Sequence, residues 1–256
     1  MTLKERLIEV IKEVGIEGAR YIEENIDLQY YYIKKLYEKI GDEENLVRLV
    51  ILNSLSSYQL SSRAEEWWRE FSEYFSNNKP KDVLNDYIEF LKKSRTNRRF
   101  INRKIDRMIK VRNFIKNLSL DRIYEYYNDM LKLKADLDKS LGVKKYYKTV
   151  VFSVKMFGYS CRIIFNKFIA YPFEIDIPLD NRMIKFTRRF TNKNFLEFWR
   201  EVSIKSNVPP LHIDSIFWPF LGNRYLIGTY EENLGVLSKD LWKILSFLCE
   251  EVFRGF

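Results

Sequence analysis

The chain has 256 residues, of which 46% are hydrophobic and 31% charged, so it can bury a core without disulfides or a bound metal. This composition excludes a disordered tail and a small disulfide-stapled domain. No apolar run approaches the roughly 18 to 20 residues of a membrane span, and the first residues lack the apolar stretch of a signal peptide. We therefore expect a cytoplasmic protein that does not bind membranes.

Cysteine and histidine are scarce in this sequence. The two cysteines, Cys161 and Cys249, lie far apart in apolar surroundings, so we predict that both are reduced core residues. The single histidine, His212, is predicted to be a hydrogen-bonded structural residue. A zinc site or an iron–sulfur cluster lacks the ligands it needs, and we expect no metal and no organic cofactor.

The balance of residue types predicts an all-helical protein, because nine glycines and six prolines accompany abundant helix formers. A break is predicted at Gly15, a capping box at Ser62–Glu65, and one extended segment at 171–179, which is bounded by prolines. In chain order, helices are predicted at 3–14, 19–26, 28–40, 43–59, 62–76, 80–94, 92–116, 120–137, 144–165, 181–190, 193–205, 210–221 and 238–253.

Positive charge is concentrated in residues 92–116, here called the basic segment. It carries eleven basic residues and one acid, so its charge is +10 in a chain whose net charge is +9. Apolar residues recur through it at helical spacing, which predicts one amphipathic helix with a basic face. The charge alone favours a face that binds a nucleic-acid backbone over one that is merely solvated or one that binds an anionic membrane. We place Arg98, Arg99 and Arg103, together with Arg182, against DNA phosphates.

A lysine lies within an unusually apolar helix in the stretch YYKTVVFSVKMFG. Burial among valines and phenylalanines would desolvate the Lys148 ammonium and favour the neutral, nucleophilic amine. Lys148, Phe152 and Lys155 are spaced to share one helix face. From these residues alone, a lysine that reaches from a buried helix to solvent is the favoured alternative.

Two aspartates and a tryptophan are further candidates. Asp180 stands where the extended segment meets a helix, and the role of helix N-cap would be enough to explain it. A carboxylate held by backbone N–H groups is also kept ionised and well aimed, as a charge-stabilising group requires. Asp214 and Trp218 lie one helical turn apart and offer an acceptor and a stacking plane to a nucleobase. A tryptophan on an apolar face is more often plain core.

Three common nucleotide-binding and catalytic motifs are absent from the sequence. The sequence contains no G-x-x-x-x-G-K-[ST], G-x-S-x-G or G-x-G-x-x-G pattern, so nucleotide hydrolysis, serine-esterase and dinucleotide chemistry have no support. A metal nuclease that uses two carboxylates stays open as an alternative, although the acidic residues are spaced as in solvated turns and helix caps.

Four ordered blocks of sequence resemble one known family, the archaeal 8-oxoguanine DNA glycosylases, or archaeal GO glycosylases. The blocks are NLVRLVILNSLSSYQLSSRAEEWWREFSEYFS, YKTVVFSVKMFGYSCRI, PFEIDIPLDNRMIKFTRR and VPPLHIDSIFW. The resemblance implies a helix-hairpin-helix glycosylase fold with two helical lobes, 30–165 and 1–29 with 166–256, and a base pocket between them. It departs from the wider superfamily at Ser140-Leu-Gly-Val-Lys-Lys, which replaces a glycine-rich hairpin.

The resemblance also implies roles for individual residues. Lys148, in K-T-x-x-F, matches the Schiff-base nucleophile, and Asp180, in I-P-x-D, matches the catalytic aspartate. Phe152 and Trp218 match the two faces between which the extruded base stacks. The remaining residues of the base pocket are implied to be Gln29, Trp68, Lys155 and Asp214.

The implied activity is that of a DNA repair N-glycosylase and lyase that removes 8-oxoguanine from DNA and then nicks the strand by β-elimination, without a metal or cofactor. The implied partner is DNA containing 8-oxoguanine, and we expect a monomer associated with the nucleoid. A non-catalytic helical DNA-binding protein and a glycosylase for another damaged base are the alternatives.

Overall fold

A computed structural model describes residues 1–144, 146–222 and 239–251, without the side chains of 239–242, 249 and 251. Within these ranges every regular element is a helix and no strand occurs, so the predicted all-helical class is confirmed. None of the described helices is both long enough and apolar enough to cross a membrane.

The chain divides into two compact units, each with its own core. The middle unit is Leu28–Ile169, and the terminal unit joins Met1–Asp27 to Ala170–Phe256. The described helices of the middle unit are α2 (Leu28–Ile40), α3 (Glu43–Leu55), α4 (Ala64–Asn77), α5 (Val83–Lys93), α6 (Ile101–Lys110), α7 (Arg112–Lys116), α8 (Leu120–Asn128), α9 (Met130–Leu141) and α10 (Lys148–Phe165). Those of the terminal unit are α1 (Leu3–Asn25), α11 (Asn181–Thr187), α12 (Phe195–Ser206), α13 (Pro210–Gly222) and α14 (Lys239–Glu251).

Helix α10 is the core helix of the middle unit. Its residues from Thr149 to Val151 and from Ser153 to Arg162 are buried, as its apolar sequence predicts, and it packs against α2, α3, α8 and α9. Cys161 is buried on it, and burial raises the pKa of its thiol well above the usual value. The predicted burial of Cys161 is thus confirmed, whereas the side chain of Cys249 lies outside the described residues.

The basic segment does not form the single helix that its periodicity predicts. It contains the end of α5, an irregular turn at 94–100, and the short helices α6 and α7. Glu70 of α4 holds the turn by accepting hydrogen bonds from Ser94 Oγ, Arg95 N and Thr96 N. Burial alone would raise the pKa of Glu70, but these hydrogen bonds outweigh burial and lower it. A tertiary contact therefore replaces the helical hydrogen bonds of this stretch.

The two faces of the basic segment also differ from the prediction. The helical spacing predicts Phe100 and Ile109 on the apolar stripe and Lys104 on the basic face. Phe100 and Ile109 are instead exposed, whereas Lys104 is fully buried. The Lys104 ammonium donates to Asn97 Oδ1 and lies 4.8 Å from the ring centroid of Tyr58. Burial, followed by repulsion from Arg107, lowers the pKa of Lys104 to about 8.

Several predicted helix ends are wrong because neighbouring segments compete for the backbone. Helix α4 begins at Ala64 without a side-chain cap, so the predicted capping box at Ser62–Glu65 does not form. Ser61 instead donates its N–H to Thr96 O and accepts from Arg98 N at 2.9 Å in each case, which ties this turn to the basic segment.

Other helices are shorter than predicted. The helix predicted at 120–137 breaks at Asp129, whose carboxylate caps α9 by accepting from Lys132 N. Helix α3 ends at Leu55, and α10 begins at Lys148 rather than at 144. The segment 171–179 is irregular, with turns and no strand, so it is non-helical as predicted but not extended throughout.

In the terminal unit, α1 packs against α12, α13 and α14. The predicted break is confirmed as a kink, because Gly15 adopts a left-handed conformation (φ 62°) within α1. Buried His212 on α13 accepts from Tyr171 N at its Nε2, so its Nδ1 carries the proton and donates to Glu23 Oε1 at 2.8 Å. His212 is a structural residue, as predicted.

Candidate active site

The candidate nucleophile lies at the start of the most buried helix. Lys148 is the first residue of α10, preceded by the N-cap residue Tyr147, which provides no side-chain cap. It is half-buried and faces a cleft of about 520 Å³ within the middle unit. The residues lining this cleft, here called the cationic cleft, include Tyr58, Arg103, Arg107, Lys110, Tyr147 and Lys148.

Phe152 lies one turn after Lys148 on α10, and its ring pairs with the ring of Trp68 on α4. Their ring centroids lie 6.2 Å apart in an edge-to-face arrangement. Trp68 is fully buried, and its Nε1–H finds no acceptor among the described residues. A buried N–H donor without an acceptor costs about 1–3 kcal/mol, so this donor suits a site that a polar ligand completes.

The same helix also carries the buried candidate Lys155. It is fully buried, and its Nζ lies 5.7 Å from the ring centroid of Tyr159. The burial expected for Lys148 is therefore more complete at Lys155. Tyr159 packs edge-on against Tyr30 of α2, beside the predicted base-pocket residue Gln29, which is also buried.

Asp180 is held at both carboxylate oxygens within the terminal unit. As predicted, it is the N-cap residue of α11, where Oδ1 accepts from Met183 N at 2.9 Å. Its Oδ2 accepts from the indole Nε1–H of Trp218 at 2.7 Å, a contact that the sequence does not reveal. The carboxylate is therefore fixed in direction as well as position.

Trp218 contacts a cation as well as the candidate aspartate. The Arg182 guanidinium carbon lies 4.3 Å from the Trp218 ring centroid. Gly222, the last residue of α13, leaves room for this guanidinium, because a Cβ at position 222 would stand 2.0 Å from Arg182 Nη1. Arg182, predicted on the DNA backbone, is thus half-buried against the ring implied to stack the base.

Asp214 lies on α13, one turn before Trp218, as its spacing predicts. Only 2% of its surface is exposed. The hydrogen bonds of His212 to Glu23 and Tyr171 fasten the same turn of α13 to α1 and to the segment that follows residue 170. Asp214 and Trp218 therefore project from a rigidly anchored helix.

The structure groups the candidate residues within each unit. Lys148, Phe152 and Lys155 share α10, with Trp68 packed against Phe152. In the terminal unit, Trp218 contacts both Asp180 and Arg182. Arg98, Arg99 and Arg103 are exposed, as a surface that binds phosphates requires. The sequence analysis missed Tyr58, Arg107, Lys110 and Tyr147 of the cationic cleft.

One signal for the missed residues is present in the sequence. Arg103, Arg107 and Lys110 are spaced i, i+4 and i+7, which places them on one face of α6. Tyr58 and Tyr147 carry no comparable signal, because each lies in a non-helical stretch next to a different helix.

The family to which the chain belongs follows from comparisons with known proteins. A family model described as AGOG, N-glycosylase/DNA lyase, matches residues 8–239. Among relatives named N-glycosylase/DNA lyase, that of Thermococcus kodakarensis is 49% identical over 222 residues, covering 86% of this chain and 84% of the relative. The Methanococcus maripaludis protein is 44% identical over 240 residues, covering 93% and 95% respectively.

A solved structure supports the fold. It is the 8-oxoguanosine complex of the 8-oxoguanine DNA glycosylase from Pyrobaculum aerophilum, which matches with a TM-score of 0.78 and 24% identity over 96% of each chain. At that identity the likeness concerns the fold, and it confirms the predicted glycosylase fold. The family model covers most of the chain, and the chain therefore belongs to the AGOG family of N-glycosylase/DNA lyases.

Proposed function

We propose that this protein removes 8-oxoguanine from DNA and then cleaves the strand, with Lys148 as nucleophile and Asp180 as the stabilising carboxylate. The observation that carries the proposal is the position of Lys148, an amine at the start of a buried helix that faces a cationic cleft. The family and the 8-oxoguanosine complex of the Pyrobaculum aerophilum protein support the choice of substrate.

The proposed reaction begins with extrusion of the damaged nucleotide, because its sugar cannot be attacked while the base is stacked in the duplex. Stacking on Phe152 and Trp218 offsets part of the unstacking cost, since each base–aromatic contact contributes about 1–3 kcal/mol. The buried donor of Trp68 and the acceptor groups of Gln29 and Asp214 supply polar contacts to the base edge.

The chemical steps use the side chains of the protein alone. The neutral amine of Lys148 attacks C1′ as the bond from C1′ to the base breaks, and the bonding electrons leave with the base. Asp180 stabilises the positive charge that develops on the sugar. Loss of an amine proton and cleavage of the C1′–O4′ bond, with a proton taken up at O4′, then convert this adduct into an imine. The imine activates C2′–H, and loss of that proton expels the 3′ phosphate as the C3′–O3′ bond breaks. Water then hydrolyses the imine and releases Lys148.

Borohydride reduction tests this proposal directly. We expect a covalent adduct between the protein and a duplex that carries 8-oxoguanine, because borohydride reduces the imine to a stable amine. A non-catalytic DNA-binding protein would give no adduct on any duplex. A panel of other damaged bases, each opposite the same partner base, distinguishes the 8-oxoguanine enzyme from a glycosylase for another lesion.

The basic segment is expected to bind DNA without regard to sequence or damage. Reversing Arg98, Arg99 and Arg103 to glutamate should weaken binding of damaged and undamaged duplex alike, because phosphate contacts carry no sequence information. The slope of log affinity against log salt should flatten by up to about 0.9 for each phosphate that the variant no longer neutralises. Filter binding at several salt concentrations measures both quantities.

The matched control reverses Lys34, Lys35 and Lys39, three exposed lysines of α2, to glutamate. It makes the same change of net charge in the same unit. Equal weakening by the two triple variants would mean that net charge, and not the basic segment, explains the weaker binding. Unchanged affinity in the first variant would place the DNA-binding surface elsewhere, with Arg182, Lys185, Arg188 and Arg189 the next candidates.

Trp218 is expected to contribute by two separable routes. Trp218→Ala removes a stacking plane and also the hydrogen bond to Asp180. It should therefore weaken the binding of every base by about 1–3 kcal/mol and slow the chemical step as well. Trp218→Phe keeps a smaller stacking ring and removes the N–H donor, so DNA binding should fall less than in Trp218→Ala while the rate of excision still falls. Single-turnover excision over a range of enzyme concentrations separates the two effects. A normal rate for Trp218→Phe would show that the hydrogen bond to Asp180 does not matter for catalysis.

Asp214 is the candidate for discrimination between the damaged and the normal base. 8-Oxoguanine carries a donor at N7 where guanine has a lone pair, so a carboxylate aimed at N7 accepts from one and repels the other. Asp214→Asn should therefore narrow the preference for 8-oxoguanine over guanine. The test is single-turnover excision of both bases. A uniform decrease with the preference intact would assign discrimination to Gln29 or to backbone carbonyls.

A further inference from the structure

The cationic cleft contains more positive charge than the nucleophile alone explains. Arg103, Arg107, Lys110 and Lys148 all line it, and Asp106 is the one acid among its lining residues. With a volume of about 520 Å³, the cleft has room for a solvated phosphodiester beside the Lys148 side chain. It lies entirely within the middle unit.

Three of these cations form a row on one helix. Arg103, Arg107 and Lys110 are spaced i, i+4 and i+7 on α6, so they project from one face over an axial length of about 10 Å. Lys104 is buried on the same helix and adds positive potential beneath the row. Like charges so close together repel, and an anion placed among them relieves that repulsion.

The middle member of the row is fixed by the start of the nucleophile helix. Arg107 donates to Leu55 O at 2.8 Å and to Thr149 Oγ1 at 3.1 Å, and it also donates to Tyr147 Oη. Its guanidinium carbon lies 4.4 Å from the ring centroid of Tyr58 and 4.9 Å from that of Tyr147. Arg107 therefore joins α6 to the first residues of α10, and these hydrogen bonds set the position of the row relative to Lys148.

The outer members of the row keep their charges available. Arg103 and Lys110 are exposed, and neither takes part in the ion pairs found between described residues. An exposed cation without a carboxylate partner binds a phosphate without first breaking an ion pair. The row thus combines one cation fixed by several hydrogen bonds with two exposed cations, of which Arg103 lies 5.5 Å from the ring centroid of Phe100.

We propose that the cationic cleft binds a backbone phosphate next to the nucleotide that Lys148 attacks. This inference rests on the proposed function of Lys148. Each phosphate that flanks a nucleotide is covalently attached to its sugar, so a sugar within reach of Lys148 Nζ brings a phosphate to the surface that carries Arg103 and Lys110. These two residues bind the phosphate, and Arg107 positions the surface.

A neutral phosphate analogue tests this interaction without any chemical step. The probe is a fluorescent duplex with a tetrahydrofuran residue, which has no base to release, in place of the damaged nucleotide. Single methylphosphonates, which remove one negative charge each, replace the phosphates on either side of that residue in turn. Fluorescence anisotropy with the full chain gives the Kd for each duplex.

We expect one methylphosphonate position to raise the Kd of the wild-type protein about tenfold, as the removal of one charge-assisted hydrogen bond would. Replacing Arg103 and Lys110 together with methionine should raise the Kd of the all-phosphate duplex by a similar factor. In that variant, the same methylphosphonate should cause no further increase. The control replaces Arg112 and Lys116 with methionine, which removes two exposed cations of α7 outside the cleft and should keep the full methylphosphonate effect.

A full methylphosphonate effect in the Arg103 and Lys110 variant would overturn the proposal, and so would a scan in which no single position matters. Melting temperatures of both variants are compared with wild type, and both should be unchanged because the replaced side chains are exposed. Base release from an 8-oxoguanine duplex is measured separately. If the proposed function is wrong, no base is released but the methylphosphonate effect is still seen. If the cleft proposal is wrong, base is released but the methylphosphonate effect does not depend on Arg103 and Lys110.

Discussion

Lys148→Gln is expected to abolish release of 8-oxoguanine and to eliminate the adduct trapped by borohydride. Glutamine has a similar length and can donate a hydrogen bond, but its amide nitrogen cannot form an imine with C1′. The single-turnover rate should fall by at least about 10⁴-fold, as is typical when a covalent nucleophile is removed. Binding of the damaged duplex should persist, because the rest of the cationic cleft is intact.

The matched control for this variant is Lys144→Gln, which changes an exposed lysine just before α10 and should leave the rate unchanged. A Lys148→Gln protein that still crosslinks under borohydride would show that another amine forms the imine. The lysines nearest in sequence are Lys144, Lys145 and Lys155. Mass spectrometry of the trapped peptide would identify which of them reacts.

Asp180→Asn is expected to have the second largest effect, a decrease of about 10² to 10³ in the rate of base release. Asparagine caps helices well, so the hydrogen bond from Met183 N should survive. Its side-chain NH₂ then faces the Trp218 Nε1–H, and two donors cannot bond to each other. The variant therefore loses both the negative charge and the fixed direction of the group.

Folding and catalysis at Asp180 are separated by a stability measurement. The melting temperature of Asp180→Asn should stay close to wild type, whereas that of Asp180→Ala should fall, because alanine removes the cap at a cost of about 1 kcal/mol. Near-normal turnover by Asp180→Asn would reduce this residue to a helix cap. Unfolding of the asparagine variant would mean that its bond to Trp218 is essential for the fold.

Local signals were sufficient for much of the fold. The apolar run of α10 and the glycine at the kink in α1 act through burial and backbone freedom, which are visible in a few consecutive residues. The basic segment was predicted wrongly because Glu70, more than twenty residues earlier, supplies the hydrogen bonds that end the helical pattern. The burial of Lys104 was missed for a similar reason, since its partner Asn97 belongs to that irregular turn.

The candidate site also has features that local sequence predicts and features that it does not. Asp180 could be predicted as a helix cap because an aspartate follows a proline-bounded segment and precedes a helix. Its hydrogen bond with Trp218 could not be predicted, because the two residues are separated by 38 positions and by helix α12. The roles of Lys148, Phe152 and Gln29 came from resemblance to a family, and these roles stay predictions.

If Trp218 stacks a base as proposed, its contact with Arg182 restricts the side of the indole from which that base can approach. A planar indole has two faces, and the guanidinium covers one of them, so at most one face is left for an incoming ring. Glycine at 222 leaves space for the guanidinium in this position, and a methyl group there would force the flexible end of Arg182 to move. A base stacked on Trp218 as proposed would therefore have one side of the indole available, because the guanidinium blocks the other.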